Sequence, residues 1–435
     1  MILCINPWVE DFTAYDLWAK PLGIIEIASW LRQSGWDVEI VDFLYQYYPS
    51  LHKEMHQKKT GRGKYKRVEI SRPEPLKNVS IPRRFYRYGI SPEEAESLLS
   101  RYPKPKLILV TSVMTYWYTG VQTTIAFLKK HYPHVPIILG GIYTQLCRNH
   151  AASLFQGCEI AHRETYPFLQ ERLEREFGFS PGLPRNRLDI PMLYSFYPEI
   201  PYIPLRFTRG CPYRCRYCAA PLLEPEYTES SLDTVRKTFT AWYKKGIRDF
   251  VLYDDALLFS KTKLLHPFLE WIIERGMKAR FHTPNALHIA LFDGKTLELM
   301  MAAGEWELRF GVESLFKKDF PLDNKSKRQD LERAASLLVG SGFDLSHVRI
   351  YLLAGLPNQS RVEVEESIKV VRQTGLRPVP NEYSPIPGTS LFGEALKVSP
   401  FDLREPLYQN KSIVPCRWEG QTWQDMQELK ELARM

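Results

Sequence analysis

No apolar run in this sequence approaches the ~20 residues needed to cross a bilayer as a helix. The longest candidate, LILVTSVMTYWY from Leu107 to Tyr118, is short and broken by Thr and Ser. The first residues, MILCINP, lack a basic n-region and a cleavage site, so they read as a first strand and not as a signal peptide. Cysteine is neither abundant nor even in number: there are seven, three of them clustered, which argues against a secreted disulfide scaffold. The compartment these features predict is reducing and cytoplasmic. No internal repeat stands out. Neither sign of charge dominates either: a net charge of +8 over 435 residues permits an anionic partner without requiring one.

What is present is material for large cores, enough for roughly two or three domains. The N-terminal part alternates apolar strands with helical patterns. ILCIN is a strand, PLGIIEIASWLRQSG has apolar residues at helical spacing and ends on Gly35, and DVEIVDF is the next strand. Later come LILVTS, the helix-like GVQTTIAFLKKHYP and the strand PIILGG, then a helix–strand–helix finish from Ala151 to Glu176. Such alternation predicts a doubly wound α/β domain over residues 1–176, with ligands beyond the C-terminal strand ends. The candidate ligand edge is therefore formed by the loops after Asn6, Asp42, Ser112 and Gly141. A basic insertion over residues 53–89 interrupts the pattern. Its Pro73, Pro75 and Pro82 disfavour regular structure. The segment reads first as a solvated surface excursion that packs on the barrel domain; the alternative, from Arg83, Arg84 and Arg87 interleaved with Phe85, Tyr86 and Tyr88, is a lid for an anionic or amphipathic small molecule. No RNA-binding module follows, so nucleic acid is not the expected partner.

A linker rich in Pro and Gly over residues 177–195 leads to a second domain, 196–392, and a C-terminal extension, 393–435, expected to cap it. Here RFTRG, DFVLYDD, ARFHTPNAL, WELRFGVES, VRIYLLAGLP and PVPNEYSPIPGT read as six strands alternating with amphipathic helices. Six βα units are too few to close an eightfold barrel.

The stretch CPYRCRYC holds Cys211, Cys215 and Cys218. Three thiolates cannot complete a closed tetrahedral zinc site, and no His or fourth Cys lies beside them. They suit a 4Fe–4S cluster with one iron left open. The competing readings are a disulfide, a zinc knuckle or three buried thiols with no joint role.

This spacing, at the end of a strand in a six-unit βα array, resembles the radical S-adenosylmethionine (SAM) enzymes. The resemblance implies a partial (βα)6 TIM barrel in which the open iron is chelated by the amino and carboxylate groups of SAM. It puts Tyr217 near the adenine. After the second strand it implies a Gly-Glu pair receiving the SAM amino group, where this chain has Tyr253-Asp254-Asp255; one of the two carboxylates takes that role. Asn285 after the third strand becomes a SAM or substrate contact, and Glu313 and Ser314 in FGVES take the ribose position. Gly355, Leu356 and Pro357 border the adenine, with Ile386 in a comparable place after the sixth strand. Arg309, Arg349 and Tyr351 could hold the SAM carboxylate if they point inward. The remaining cysteines, Cys4, Cys147, Cys158 and Cys416, are expected to be buried and inert.

The first domain resembles the cobalamin-binding-like Rossmann domain of one branch of that family, through PLGIIEIASWLRQSGWDVEIVDF, TSVMTYWYTGVQ and ILGGIYTQL. The DxHxxG element that gives cobalt a lower-axial His is absent. Met114, Tyr116, Trp117 and Tyr118 could form a bed for the corrin, and Gly140 and Gly141 could admit its nucleotide tail. The resemblance implies SAM cleavage to a 5′-deoxyadenosyl radical that abstracts hydrogen from a small-molecule substrate. With cobalamin the outcome is C-methylation; without it, rearrangement, oxidation or carbon–carbon bond formation. A reductant such as flavodoxin or ferredoxin is the implied partner. The alternative from another class is an iron–sulfur electron-transfer or sensor protein.

Overall fold

The computed structural model describes residues 1–45, 47–48, 61–161, 164–315, 328–417 and 422–435. The chain forms two compact units, Met1–Pro201 with Arg404–Gln409, and Tyr202–Leu403 with Asn410–Met435.

The first unit is built on five parallel strands: β1 (Ile2–Asn6), β2 (Val38–Asp42), β3 (Leu107–Val110), β4 (Ile137–Leu139) and β5 (Glu159–Ile160). Their order is β2-β1-β3-β4-β5, so the direction of winding reverses between β1 and β3. Every residue of β1 and β3 is buried, which is why both read as unbroken apolar runs: a doubly wound sheet has helices on both faces. Helix Leu22–Gln33 supplies one cover, with Ile24, Ile25, Ala28 and Leu31 buried. Gly35 then takes φ +90 and ends it, as the sequence predicts.

The basic insertion is more regular than its prolines suggest. From residue 61 onward it contributes Arg67–Ile70 and Phe85–Tyr88 to a three-stranded antiparallel sheet with Val9–Asp11, while Gly63–Lys64 pairs with Tyr15–Asp16. Pro73, Pro75 and Pro82 all fall in the connection between two strands, where no ladder hydrogen bond is needed. Residues 53–60 lie outside the described residues. The arginines are spent on the sheet itself. Arg84 pairs with Glu69 at 2.9 Å, Arg87 with Glu10 at 3.3 Å, and Arg67 lies 4.1 Å over the Tyr86 ring. Arg72 donates to the carbonyls of Val79, Ile81 and Arg83.

The Pro/Gly-rich stretch after Phe177 runs along helix Leu22–Gln33. Trp30 Nε1 donates to the Gly182 carbonyl, Gln33 to that of Pro191, and Leu193 N–H to Ser29 Oγ. The short C-terminal segment Arg404–Gln409 returns to this unit. Glu405 accepts from Tyr118 OH at 2.8 Å and from Leu407 N–H at 3.0 Å, with His150 Nε2 3.7 Å away. Tyr408 OH donates to the Pro75 carbonyl.

The second unit holds six parallel strands in sequential order: β6 (Ile203–Leu205), β7 (Asp249–Leu252), β8 (Ala279–His282), β9 (Gly304–Glu313), β10 (Val348–Ala354) and β11 (Pro378–Glu382). A short strand, Leu287–His288, also pairs with β9. Each strand is added on the same side of the last, the topology of a barrel wall that stops short of closure. One boundary shifts from the sequence reading. The first strand is Ile203–Leu205, and Thr208–Arg209 of the RFTRG run pairs antiparallel with Thr228–Glu229 instead. The helix-covered face is aromatic: Phe239 meets Phe250 at 4.4 Å, and Phe268 meets Phe281 at 6.4 Å. C-terminal helix Trp423–Leu432 is held to helix Arg361–Gln373 and to β11, through Arg361 with Asp425 and Glu428, and Lys430 with Glu382.

Candidate active site

The cysteine loop leaves the barrel wall at the C-terminal end of β6. Gly210 makes the turn possible: it has φ +74, and a Cβ there would stand 2.4 Å from the Glu226 carbonyl oxygen. Cys211, Cys215 and Cys218 follow, Cys215 buried and the other two half-buried, and none is in a disulfide. A tight turn joins the last two, with Cys218 N–H donating to the Cys215 carbonyl at 3.1 Å, and Cys218 Sγ accepts from Ala220 N–H. The loop is tied to the far end of the sheet. The Arg216 carbonyl accepts from Leu391 N–H and Ser390 Oγ, and the Arg216 guanidinium pairs with Glu394. Among the described residues, no three His, Cys, Asp or Glu side chains converge closely enough to hold a metal ion by themselves. The candidate donors are three thiols on one anchored loop, and among the described residues no His, Asp, Glu or further Cys gathers with them into a metal-holding group. That fits a cluster with an open iron and not a closed zinc site.

The strand ends around this loop carry the other candidate residues. Asp254, after β7, is buried, and its Oδ1 accepts from Phe207 N–H, Thr208 N–H and Thr208 Oγ1. It thereby fixes the strand end from which the cysteine loop departs. Burial pushes its pKa up to about 7, against the opposing pull of those hydrogen bonds. Its Oδ2 is buried with no hydrogen-bond partner. Asp255 beside it is exposed, and Asn285 donates to the Tyr253 carbonyl at 3.0 Å and lies 3.5 Å from Asp255. Of the two carboxylates, Asp255 is the exposed one.

Glu313 ends β9 with φ +62, an uncommon conformation for a side chain that is not glycine, at a point where the pairing with β10 shifts register. A Cβ on Gly311 would come within 2.7 Å of Glu313 Oε1, so that glycine makes room for the carboxylate. Ser314 Oγ is buried and has no hydrogen-bond partner. Buried oxygens of Asp254 and Ser314 with no hydrogen-bond partner at this edge fit a site for a polar ligand. Leu356 and Pro357 are buried after β10, and Leu356 N–H is held by Gln359. Gly355 has φ +80, and a Cβ there would meet Val414 and Cys416 of the tail at 3.3 and 3.5 Å. The tail thus packs against the glycine expected beside adenine. Ile386 is half-buried and caps the turn to Thr389, and Tyr217 is half-buried in the cysteine loop.

Sequence reading missed a polar ladder across neighbouring strands. His282 Nε2 lies 2.9 Å from Asp249 Oδ1, and its Nδ1 lies 3.4 Å from Glu307. Glu307 in turn accepts from Arg309 at 2.7 Å. Although burial works to raise it, bonds from His282 and Arg280 hold the Asp249 carboxyl below its ordinary pKa. The signal was available: in WELRFGVES, Glu307 and Arg309 alternate with buried Trp306, Leu308 and Phe310, which is a strand with one polar face. Arg349 is elsewhere. It is the second residue of β10 and lines a cleft at the opposite, N-terminal end of the strands, away from the cysteine loop.

In the first unit, Gly140 and Gly141 follow β4 and line a cavity of ≈ 100 Å³ between helix Leu22–Gln33, the sheet and helix Thr165–Phe177. Most of its wall is small or apolar (Gly23, Ile24, Ile27, Leu109, Ile138, Ala161), and Thr111, Gln145, Thr165 and Arg187 add polar groups. Gly141 has φ +100, and a Cβ there would sit 2.2 Å from the Ser112 carbonyl oxygen. The aromatic run after β3 is turned into the fold. Tyr116 is buried, and Trp117 donates to Asp11 and packs against Val9, Tyr65 and Tyr88. Tyr118 stacks on Tyr143 and bonds Glu405, leaving Met114 as the exposed member.

Known proteins agree with this geometry. Residues 205–371 match the Radical SAM superfamily. Relatives include an uncharacterized methyltransferase of Pyrococcus horikoshii, 22% identical over 45% of this chain and 42% of that protein. The anaerobic magnesium-protoporphyrin IX monomethyl ester cyclase of Rubrivivax gelatinosus is 26% identical over 47% and 38%. The cytidylyl-2-hydroxyethylphosphonate methyltransferase of Streptomyces wedmorensis is 24% identical over 52% and 43%. The matched part is thus less than half the length of each of these relatives. Among solved structures, the radical SAM methyltransferase TsrM of Kitasatospora setae, with tryptophan and a SAM analogue bound, superposes with a TM-score of 0.64. That match has 14% identity and covers 91% of this chain and 76% of that one. A second TsrM structure, with cobalamin and a [4Fe-4S] cluster bound, gives 0.58. The three-cysteine loop at the end of the first of six parallel strands thus falls within the part of this chain, residues 205–371, that matches the Radical SAM superfamily.

Proposed function

We propose that this chain is a radical SAM methyltransferase that works on a small organic molecule and holds a cobalamin in its first unit. The observation that carries the reading is the anchored loop of three thiols inside the matched region. Cys211, Cys215 and Cys218 would hold the cluster, and Asp255, Asn285, Glu313 and Ser314 the SAM. When bound, cluster and SAM supply a 5′-deoxyadenosyl radical that removes hydrogen from carbon, and a corrin supplies the methyl group.

The chain's own residues do the positioning. Asp254 sets the departure of the cysteine loop, and the Arg216 contacts close the loop onto the segment after β11. The Glu313 carboxylate suits charge-assisted bonds to a diol, and Ser314 offers a buried hydroxyl beside it. The buried polar ladder holds Arg309 in place through Glu307, below that edge. In the first unit, Gly140 and Gly141 line a cavity whose side-chain-free wall would admit part of a corrin tail. Names of the relatives point to no common substrate: a porphyrin ester, a cytidylyl phosphonate and tryptophan. The electron would come from a reductant such as flavodoxin or ferredoxin.

A second reading keeps SAM cleavage and drops the corrin. It is favoured by Tyr116 and Trp117, which are committed to the core of the first unit and not free as a flat bed. Anaerobic reconstitution with iron, sulfide and hydroxocobalamin separates the two. Stoichiometric corrin retained by the protein, together with 5′-deoxyadenosine made under reductant, supports methyl transfer. Deoxyadenosine without retained corrin selects the second reading. A Cys215→Ala variant that still assembles the cluster and cleaves SAM would overturn both.

A further inference from the structure

A cleft of ≈ 430 Å³ opens at the N-terminal end of β10 and β11, the opposite end of these strands from the cysteine loop. Four arginines line it: Arg349 on β10, Arg372 in the last turn of helix Arg361–Gln373, Arg377 just before β11, and Arg434 after helix Trp423–Leu432. No Asp or Glu is among its lining residues. The nearby Asp344 is occupied with the turn it caps, accepting from Ser346 N–H and lying 3.5 Å from His347.

Two of the four cations have an ordinary account. Arg372 donates to the Leu432 carbonyl at 3.3 Å, and it and Arg434 stand at the C-terminal ends of two helices, where the helix dipole favours positive charge. That account does not reach Arg349 and Arg377, which flank the starts of two strands. Arg349 is fixed in place by bonds from Nη1 to the carbonyls of Ser346 and Val348. The floor is mixed, with Leu345, Leu376 and Pro378 beside the Ser346 hydroxyl. The volume lies within the range of small-molecule sites, and guanidinium forks match phosphate oxygens two at a time.

We propose that this cleft binds a small molecule carrying phosphate groups, at a site separate from the cysteine loop. The apolar floor would take the organic part and the arginines its phosphates.

The test is calorimetric titration of the intact chain with inorganic pyrophosphate at moderate salt, repeated with Arg377→Gln and with Arg434→Gln. Both changes are at exposed positions, and thermal melting checks that each variant is folded. The expected result is saturable binding of one pyrophosphate, weakened about tenfold by Arg377→Gln and weakened also by Arg434→Gln. No saturable binding, or an affinity equal to the native chain's in both folded variants, overturns the site. Arginine-dependent capture of an acidic protein that pyrophosphate does not displace also overturns the small-molecule assignment.

Discussion

Asp254 and Glu313 show how single residues carry tension at the ligand edge. The Asp254 carboxyl, raised by burial to about 7 in the fold, returns to about 3.9 in the unfolded chain. A group raised in this way contributes stability that is fully present below the unfolded value and lost as pH rises through the folded one. Asp254→Asn keeps an oxygen for the three bonds that Oδ1 accepts and removes the titration. Its stability relative to the native protein should therefore rise between pH 5 and pH 8, by on the order of a few kcal/mol. Denaturant midpoints at the two pH values check this, and a pH-independent difference would sink it. Glu313, held at φ +62, makes a different prediction. Glu313→Gly should raise stability by about 1 kcal/mol by relieving the backbone, yet weaken retention of SAM in equilibrium dialysis. A variant both less stable and equally able to bind SAM would remove the carboxylate from the site.

At the scale of elements, the sequence was most legible where each element buries one face by simple periodicity. Most strands of both sheets were visible from their apolar residues, the first barrel strand at Ile203–Leu205 excepted, and helices such as Arg361–Gln373 by their 3.6-residue spacing. The insertion strands were invisible for a physical reason. Arg67–Ile70 is largely exposed, and it is held by ion pairs, arginine–aromatic stacking and carbonyl bonds from Arg72 that no apolar alternation announces. The cysteine loop was legible as a motif, because its three cysteines lie within eight residues. The arginine cleft was not, because its cations are gathered from four elements spread between Arg349 and Arg434. The C-terminal helix is joined to its neighbour through Arg361, which bonds Glu365, Asp425 and Glu428 at once. Arg361→Ala should cost only about 1 kcal/mol overall, as exposed networks do. Hydrogen exchange should nonetheless quicken selectively across Trp423–Leu432; uniform exchange would mean the helix is held by its apolar face alone.

For the whole molecule, the telling feature is the short segment Arg404–Gln409, which belongs to the first unit although the chain on either side belongs to the second. Its anchor is Glu405, whose carboxyl is held below the ordinary range by His150, Leu407 N–H and Tyr118, against the raising effect of burial. A lowered carboxyl contributes stability above its unfolded pKa that is lost as pH falls through the folded one. Glu405→Gln should therefore lower the melting temperature at pH 7 and have less effect near pH 4, with cluster content unchanged. An equal shift at both pH values would show that the segment is held by packing and not by charge. A ribosome makes a chain from its N-terminus at roughly 5–20 residues per second. The sheet of the first unit is thus complete well before the segment that finishes its ligand edge has been made. Tyr118 and His150 wait for Glu405 until all six barrel strands have been made, so the first unit is assembled in two instalments separated by the synthesis of those strands.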